Sequence, residues 1–386
     1  MKLLPVILAG NANKLHNFLY VVFPRKYQSL SVTSTGNFIV VYYKDGEKVQ
    51  EAYPAGITSV SVDYDVDTVV MLSGDVVLNP LNVGSYNMSK AGARSSLQTT
   101  FGSETGSGIV LKEVDFQNCE NIREIRLGSQ DALEVIRLNK KNDLQRLELL
   151  ECPVVGRVDL EYAQGLTNLR LKECINLVLP DFNKFPNIEV LALENMTIQT
   201  TLPFDLWQNL QRVTLDGSII GSVSLVNKQS ITKLSANNTT LQEVVIKNAP
   251  LLTEVMLTPA LQLTRLDISE CDAITKVGVT QSLVEVLDFS SLVGLKTLFL
   301  NGHGNKTLDL SGCTQITSIS AQGPTSNSLS VIKCRALDST FASNIADYIT
   351  NSDVADGVVY LNDQDAYYST VADAATAKGW TIEPLA

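Results

Sequence analysis

The chain is poor in the residues that most often do chemistry. Only two histidines, His16 and His303, occur in 386 residues, which leaves no material for a histidine-dependent catalytic triad or a histidine-rich metal site. Six cysteines are present, but no two are spaced Cys-x-x-Cys, so the usual signature of a zinc site is missing. No apolar run approaches the roughly 18 residues that a membrane-crossing helix requires, and no membrane insertion is expected. Positive charge is scarce: 30 Lys and Arg stand against 41 Asp and Glu, for a net charge of −11. That balance argues against nucleic acid and anionic membrane surfaces as partners, because both are bound through clustered Lys and Arg. Charged residues make up only 18% of the chain and hydrophobic ones 45%, enough to build a core and too apolar for a disordered protein.

Met1 to Gly10 has the outline of a secretory signal with Lys2 as its basic end. Its apolar part is short and is followed at once by Asn11, Asn13 and Lys14, and no lipoprotein cysteine follows, so a retained N-terminus is expected rather than a cleaved leader. Residues 1–78 read as a small β domain, with apolar and β-branched runs at 19–23, 38–43, 57–64 and 69–72. Lys44-Asp45-Gly46-Glu47 between two such runs predicts a tight hairpin, since Asp-Gly accepts the positive φ of a primed turn. Residues 79–108 are rich in Gly, Ser, Thr and Asn without sustained periodicity, the composition of a linker or long loop.

From residue 111 a different rule governs. Leu111, Ile122, Leu133, Leu144, Val155, Leu166, Leu177 and Ile188 fall eleven apart, each opening the pattern apolar-x-x-apolar-x-apolar. Ten such units to residue 215 schedule 30 apolar positions, and only Pro180 and Gln199 fail, where composition alone would fill about half. Beyond 215 the spacing relaxes to a mixture of ten and eleven, marked by pairs such as Val223/Leu225, Leu266/Ile268 and Leu308/Leu310, and the array runs to about 334. One such unit is a short strand and a turn, too small to bury its own apolar side, so stacking must supply the core. Two successive units close one coil, which predicts two parallel sheets back to back with the scheduled Leu, Ile and Val between them.

Outward positions one coil apart should then be neighbours at about 4.8 Å. Asp115, Arg137 and Asp159 on one face, and Arg126, Glu148 and Arg170 on the other, alternate in sign with the period of the coil, which favours one stacking register. Cys119, Cys152, Cys174, Cys271 and Cys313 all sit three positions after the last apolar residue of a unit, a slot that holds Ala163, Ala249 and Ala260 elsewhere. They are expected to be reduced packing residues at an inward-turning corner.

The segment from Thr307 to Ile319, Thr-Leu-Asp-Leu-Ser-Gly-Cys-Thr-Gln-Ile-Thr-Ser-Ile, closely resembles the leucine-rich repeat family, in the short-coil variant found in bacterial surface proteins and some bacteriophage structural proteins. The resemblance covers about 111–334. It implies a recognition scaffold, commonly for proteins or glycans, with no shared catalytic residues to carry over. The sequence departs from the family's asparagine-ladder version by placing Cys, Ala or Thr in the corner slot, and from helix-backed versions by its strand-like halves on both sides. The expected architecture is mainly β: a leucine-rich-repeat parallel β-solenoid over 109–334, with the small N-terminal β domain and an α/β cap over 335–386. In that cap Phe341, Ile345, Tyr348 and Ile349 have helical spacing, 357–361 is strand-like, and 366–378 reads as a second helix. Such a unit would cover the open strand edges of the last coil.

Candidate chemistry is thin. His303 occupies a corner slot and reads as a packing residue. Gly302 to Thr307 superficially resembles a phosphate loop, but Asn305 stands where a glycine should precede the lysine and a strand follows where a helix is needed. Asp63, Asp65 and Asp67 would share one strand face, without the glycine and distal glutamate of a helix-loop-helix calcium site. Asp267, Asp288 and Asp309 occupy the same outward slot in three consecutive coils, predicting a column of like charges about 5 Å apart. Neighbouring Ser and Thr hydroxyls, a cation or a basic partner could each neutralise it. Met256 and Phe299 form a modest apolar patch on the opposite face.

The sequence thus points to a non-enzymatic recognition or attachment protein without cofactor, in a bacteriophage virion or on a bacterial surface. Its expected partners are a protein or glycan ligand and other virion proteins, with homo-oligomerisation through the N-terminal region. Two alternatives stand beside it. One is a structural virion subunit whose solenoid packs against other copies; the other is a polysaccharide-cleaving enzyme, for which the aspartate column is the place to look.

Overall fold

A computed structural model describes residues 18–22, 30–57, 59–60, 69–78, 86–87, 95–99, 113–116, 122–138, 140, 144–301, 305–320 and 327–385. His16, Asp63, Asp65, Asp67, Cys119 and His303 lie outside the described residues. The chain divides into two compact units, Met1–Ile188 and Glu189–Ala386.

In the first unit the predicted hairpin joins the strands Leu30–Lys44 and Glu47–Tyr53, with Asp45 and Gly46 at φ 53° and 78°. Val69–Leu78 pairs antiparallel with both Phe18–Val22 and Leu30–Lys44. Of the strand expected over 57–64, Ser59–Val60 is present, and 61–64 lies outside the described residues. Phe18–Val22 also pairs with Glu113–Phe116, the first scheduled repeat strand, so the N-terminal strands are hydrogen-bonded directly onto the array. The linker expectation for 79–108 needs correction. Ser95–Thr99 is a strand in parallel register with Ile122–Gly128, because an open sheet edge accepts any extended segment whose backbone is free, whatever its composition.

The repeats then stack as predicted. Strands one coil apart pair in parallel, Ile136 on Val158 and Leu147 on both Ile125 and Leu169. Most of their scheduled apolar residues are buried, Leu133, Leu144, Leu147 and Leu166 completely, while Val158 and Leu177 are half-buried. Glu148 shows why the charge alternation matters. It is 7% exposed, in register with Arg126 and Arg170, and its carboxylate lies 2.5 Å from Arg146, 3.6 Å from Arg170 and 3.7 Å from Arg126. A one-coil slip would take Arg126 and Arg170 from this largely desolvated acid and leave it only Arg146 of its own strand, a cost above that of losing an exposed pair.

Pro180 explains a local defect. Val178 N–H donates to the Gly156 carbonyl of the preceding coil at 3.2 Å. The next such bond would need an N–H at 180, which proline lacks. Instead Leu160 N–H takes the Val158 carbonyl at 3.0 Å, and the chain turns into the 3-10 segment Phe182–Lys184, capped by Asp181.

In the second unit one face stacks Val190–Glu194, Arg212–Thr214, Lys233–Ser235, Glu254–Leu257, Lys276–Thr280, Thr297–Asn301 and Ser318–Ser320. The other face is two sheets. Ser222–Val226, Glu243–Lys247 and Arg265–Ser269 form one; Val286–Asp288, Thr307–Asp309 and Val331–Lys333 begin the next. Helix α1 (Ser339–Thr350), capped by Asp338, and helix α2 (Tyr368–Lys378), closed by Gly379 at φ 84°, form the C-terminal segment. Its strands Val358–Leu361 and Thr381–Pro384 extend the second sheet in parallel, so the cap prolongs one face of the stack rather than merely covering it. Asp365, whose side chain is 1% exposed, holds it through a bidentate pair with Arg335 and the Ala336 N–H.

Ten corners, drawn from both units, share one conformation. The second residue after the last scheduled apolar position is left-handed at Ser129, Glu151, Glu173, Asn195, Gly217, Asn227, Asn238, Asn248, Glu270 and Gln281. The third turns inward. Cys152, Cys174, Cys271 and Cys313 occupy it, buried and unpaired by disulfides. The fold is mainly β, a leucine-rich-repeat-like parallel β-solenoid with a small N-terminal β part and an α/β C-terminal part.

Two outcomes test this packing. A Cβ on Gly217, at φ 70°, would stand 1.8 Å from the Asn195 Oδ1, so Gly217→Ala is expected to cost about 1–3 kcal/mol, while Gly221→Ala, with nothing within 4 Å, stays within about 0.5 kcal/mol; thermal melts compare them. Burial pushes the Cys313 and Cys334 thiols up to about 12. Maleimide labelling at pH 8 followed by mass spectrometry is expected to leave both unmodified until denaturant is added; modification of the folded protein would contradict their inward placement.

Candidate binding surfaces

The three aspartates do not form the single column that their spacing predicts. Asp288 and Asp309 are direct neighbours in a parallel ladder. Asp267 belongs to the preceding sheet, in register with Val245, and no ladder joins Arg265–Ser269 to Val286–Asp288. The break lies at the corner before Asp288, where Gln281 is left-handed and Leu283 N–H reaches back to the Leu263 carbonyl at 2.8 Å. That bond draws the chain off the sheet before the next strand starts.

Each carboxylate also has local partners. Asp267 meets Lys247 at 2.8 Å. Asp309 accepts from the Ser311 hydroxyl and amide at 2.7 and 3.0 Å and meets Lys333 at 3.1 Å. Asp288 accepts from the Ser290 hydroxyl and amide at 2.6 and 3.0 Å, with no ion pair among the described residues. The repeated Asp-x-Ser thus closes on itself as a local turn, so most of the apparent negative charge is engaged within the chain. Among the described residues no three His, Cys, Asp or Glu are grouped to hold a metal ion.

On the opposite face Gly278 stands between Met256 and Phe299 in the ladder. A Cβ there would lie 2.8 Å from Met256 Cε, so the methionine folds over the glycine. Lys276 lies over the Phe299 ring, 5.3 Å from its centroid, and also pairs with Glu254 at 3.1 Å. The apolar patch is therefore half-buried and partly covered by its own neighbours.

Two features escaped the sequence reading. One is a groove of about 590 Å³ in the first unit, lined by apolar residues such as Val158, Val178 and Phe185, with both basic (Arg157, Lys184) and acidic (Asp159, Glu161, Asp181) side chains on its walls. It lies where Pro180 interrupts the strand, and the failed apolar slot was its only signal. The other is a polar ladder in the second unit. Asp216 accepts from the Ser235 hydroxyl and the Asn237 amide at 2.8 and 2.7 Å, and Asn237 Oδ1 accepts from the Thr258 amide and hydroxyl at 2.9 and 2.8 Å. Asp216, Asn237 and Thr258 recur at one slot, a coil apart, a pattern visible in the sequence once the coil length is known.

Burial pulls the Asp309 carboxyl upward, but the Ser311 and Lys333 contacts outweigh it and hold it below the ordinary carboxylate range. Its contribution to stability is therefore full above the unfolded value, near 4, and is lost as pH falls through the lower folded value. Asp309→Asn is expected to lower the melting temperature at pH 7 by a few degrees and to change nothing at pH 2, as read by circular dichroism. An equal loss at both pH values would show that the ionised form is not what stabilises the coil.

No family model matches the chain, and no curated protein does. Among solved structures, the functional domain of InlJ from Listeria monocytogenes, described as including a cysteine ladder, is similar to it at 17% identity and a TM-score of 0.29, over 61% of this chain and 65% of that one.

Proposed function

We propose that this chain is a non-enzymatic recognition or attachment protein that binds a protein or glycan through its repeat surface, as a bacteriophage virion appendage or a bacterial surface adhesin. The observation that carries this reading is the regular presentation of outward side chains in both units at the strand spacing, on faces built from parallel ladders. Such a surface offers many rigid contact points with little loss of conformational freedom on binding. Asp288, with its hydroxyl partner but no cation among the described residues, is the position in the second unit where a basic group from a ligand would add an ion pair at least cost. Met256 and Phe299 would supply apolar contact on the opposite face. Among the described residues no helix is long and apolar enough to cross a membrane.

The second reading, a structural subunit whose solenoid packs against other copies, draws support from the charge-free edge treated below. Flow cytometry with the labelled full chain on a panel of intact bacterial strains separates the two. Saturable binding, weakened about tenfold or more by Asp288→Lys or by Met256→Ser with Phe299→Ser, is the expected result. Binding confined to purified particle proteins would instead establish the structural subunit, and turnover of cell-surface polysaccharide would show an enzyme.

A further inference from the structure

The two faces and the bends between them differ sharply in charge. In the second unit the outward charges are largely paired with one another: Arg265 with Glu243, Lys247 with Asp267, Lys233 and Lys276 with Glu254, Lys306 with Glu285, and Lys333 with Asp309. The bends leading from the Lys233–Ser235 face to the Glu243–Lys247 face carry none. Residues 217–221, 237–242, 258–264 and 280–284, from four successive coils, contain no Asp, Glu, Lys, Arg or His. In the same bends Ile219, Leu261 and Leu283 are 53%, 53% and 52% exposed. Thr240, between the first two, turns its hydroxyl onto the Ile220 carbonyl at 3.1 Å. Coils stack at about 4.8 Å, so the three aliphatic side chains make a row roughly 15 Å long.

We infer that this edge is where two copies of the chain associate, through Ile219, Leu261 and Leu283. Three arguments favour a second copy as the occupant. At a net charge of −11 two copies repel one another over most approaches, and an edge without charge is where contact desolvates no ion. The row repeats with the coil spacing, and another copy is a surface certain to carry the same period, so a two-fold axis along the row sets Ile219, Leu261 and Leu283 against the same residues of the second copy, with Thr240 as the one polar step. The strip is also well below the roughly 800 Å² per partner of a stable complex, which fits a weak, reversible dimer. The inference does not rest on the recognition reading, and cell binding by the variants below is a separate readout.

Sedimentation equilibrium of the full chain from about 5 to 500 μM, in about 50 and 500 mM NaCl, tests it over the range expected of a small interface. The expected result is a monomer–dimer equilibrium that tightens at the higher salt, because screening relieves the mutual repulsion while apolar contact is not screened. Leu261→Lys with Leu283→Lys is expected to weaken it at least tenfold while leaving the melting temperature within a few degrees, since both side chains are half exposed; Leu261→Ser serves as the milder check should the double variant misfold. A monomer at every concentration and salt would overturn the inference. So would association that weakens with salt, or association unchanged in these variants, which would place the contact elsewhere, as in the N-terminal strands.

Discussion

Each coil must change direction twice, and each change leaves backbone carbonyls facing an apolar interior with no strand to receive them. The remainder of the structure depends on how that is resolved. At Ala163, Ser218 and Cys313 the slot residue's own N–H closes onto the carbonyl three positions back, all near 3.0 Å, while the Ala260 N–H reaches the Thr280 carbonyl of the next coil at 2.8 Å. Some slot side chains also reach the preceding coil: Cys174 donates to the Leu149 carbonyl at 3.4 Å, Ser218 to Leu193 at 2.6 Å and Cys313 to Phe289 at 3.1 Å, whereas Thr239 and Cys271 donate within their own coil, to the Ala236 and Ser269 carbonyls at 3.1 Å. A thiol suits this place because it is small and apolar enough to be buried yet can still donate weakly. Alanine suffices where the backbone bond alone closes the turn. At ten of these corners the residue before the slot is in the left-handed region, which asparagine and glycine tolerate best.

Once the corners fix the coil length, electrostatics fixes the register. Exposed pairs such as Lys306 with Glu285 contribute little individually. Their number and period still matter, since a slip by one coil would set like charges opposite each other along a face. Glu148 is the strongest of these locks because it is nearly buried. The same pairing leaves a chain with a large net charge presenting few unsatisfied ions on the faces of its second unit. The polar faces are thereby inert toward one another, and the apolar bends become the distinctive part of that surface.

The stacking was legible in the sequence because an apolar triplet repeated at intervals of eleven has no other explanation on this scale, and the cysteines became readable once they fell into one slot of it. The helices of the C-terminal segment were legible from the spacing of Phe341, Ile345 and Tyr348. Other features were hidden for identifiable reasons. Glu151, Glu173 and Glu270 sit in left-handed corners where glutamate is a poor marker, while Asn195, Asn238 and Asn248 in equivalent places carry the usual signal. Asp267 shares its outward slot with Asp288, but spacing along the chain does not report that a ladder stops between two coils. Gly278 was visible at the right interval between Met256 and Phe299. Its effect depends on the methionine folding over it, which a pattern of residue types does not encode. Ser95–Thr99 has one apolar residue, so only the free edge beside it makes it a strand.

Two prolines remove ladder donors, with different consequences. A parallel ladder grows by an N–H from each new coil reaching the carbonyl of the coil before, and proline removes that N–H. At Pro180 the loss occurs within the array, and the chain bridges it with a 3-10 turn and leaves a groove. At Pro384 it occurs in the last strand described, where Leu385 N–H still reaches the Leu361 carbonyl at 2.8 Å but the alternate position, which faces away from Val358–Leu361, has no donor to offer. The outer edge of that strand thus lacks one ladder donor, at Pro384.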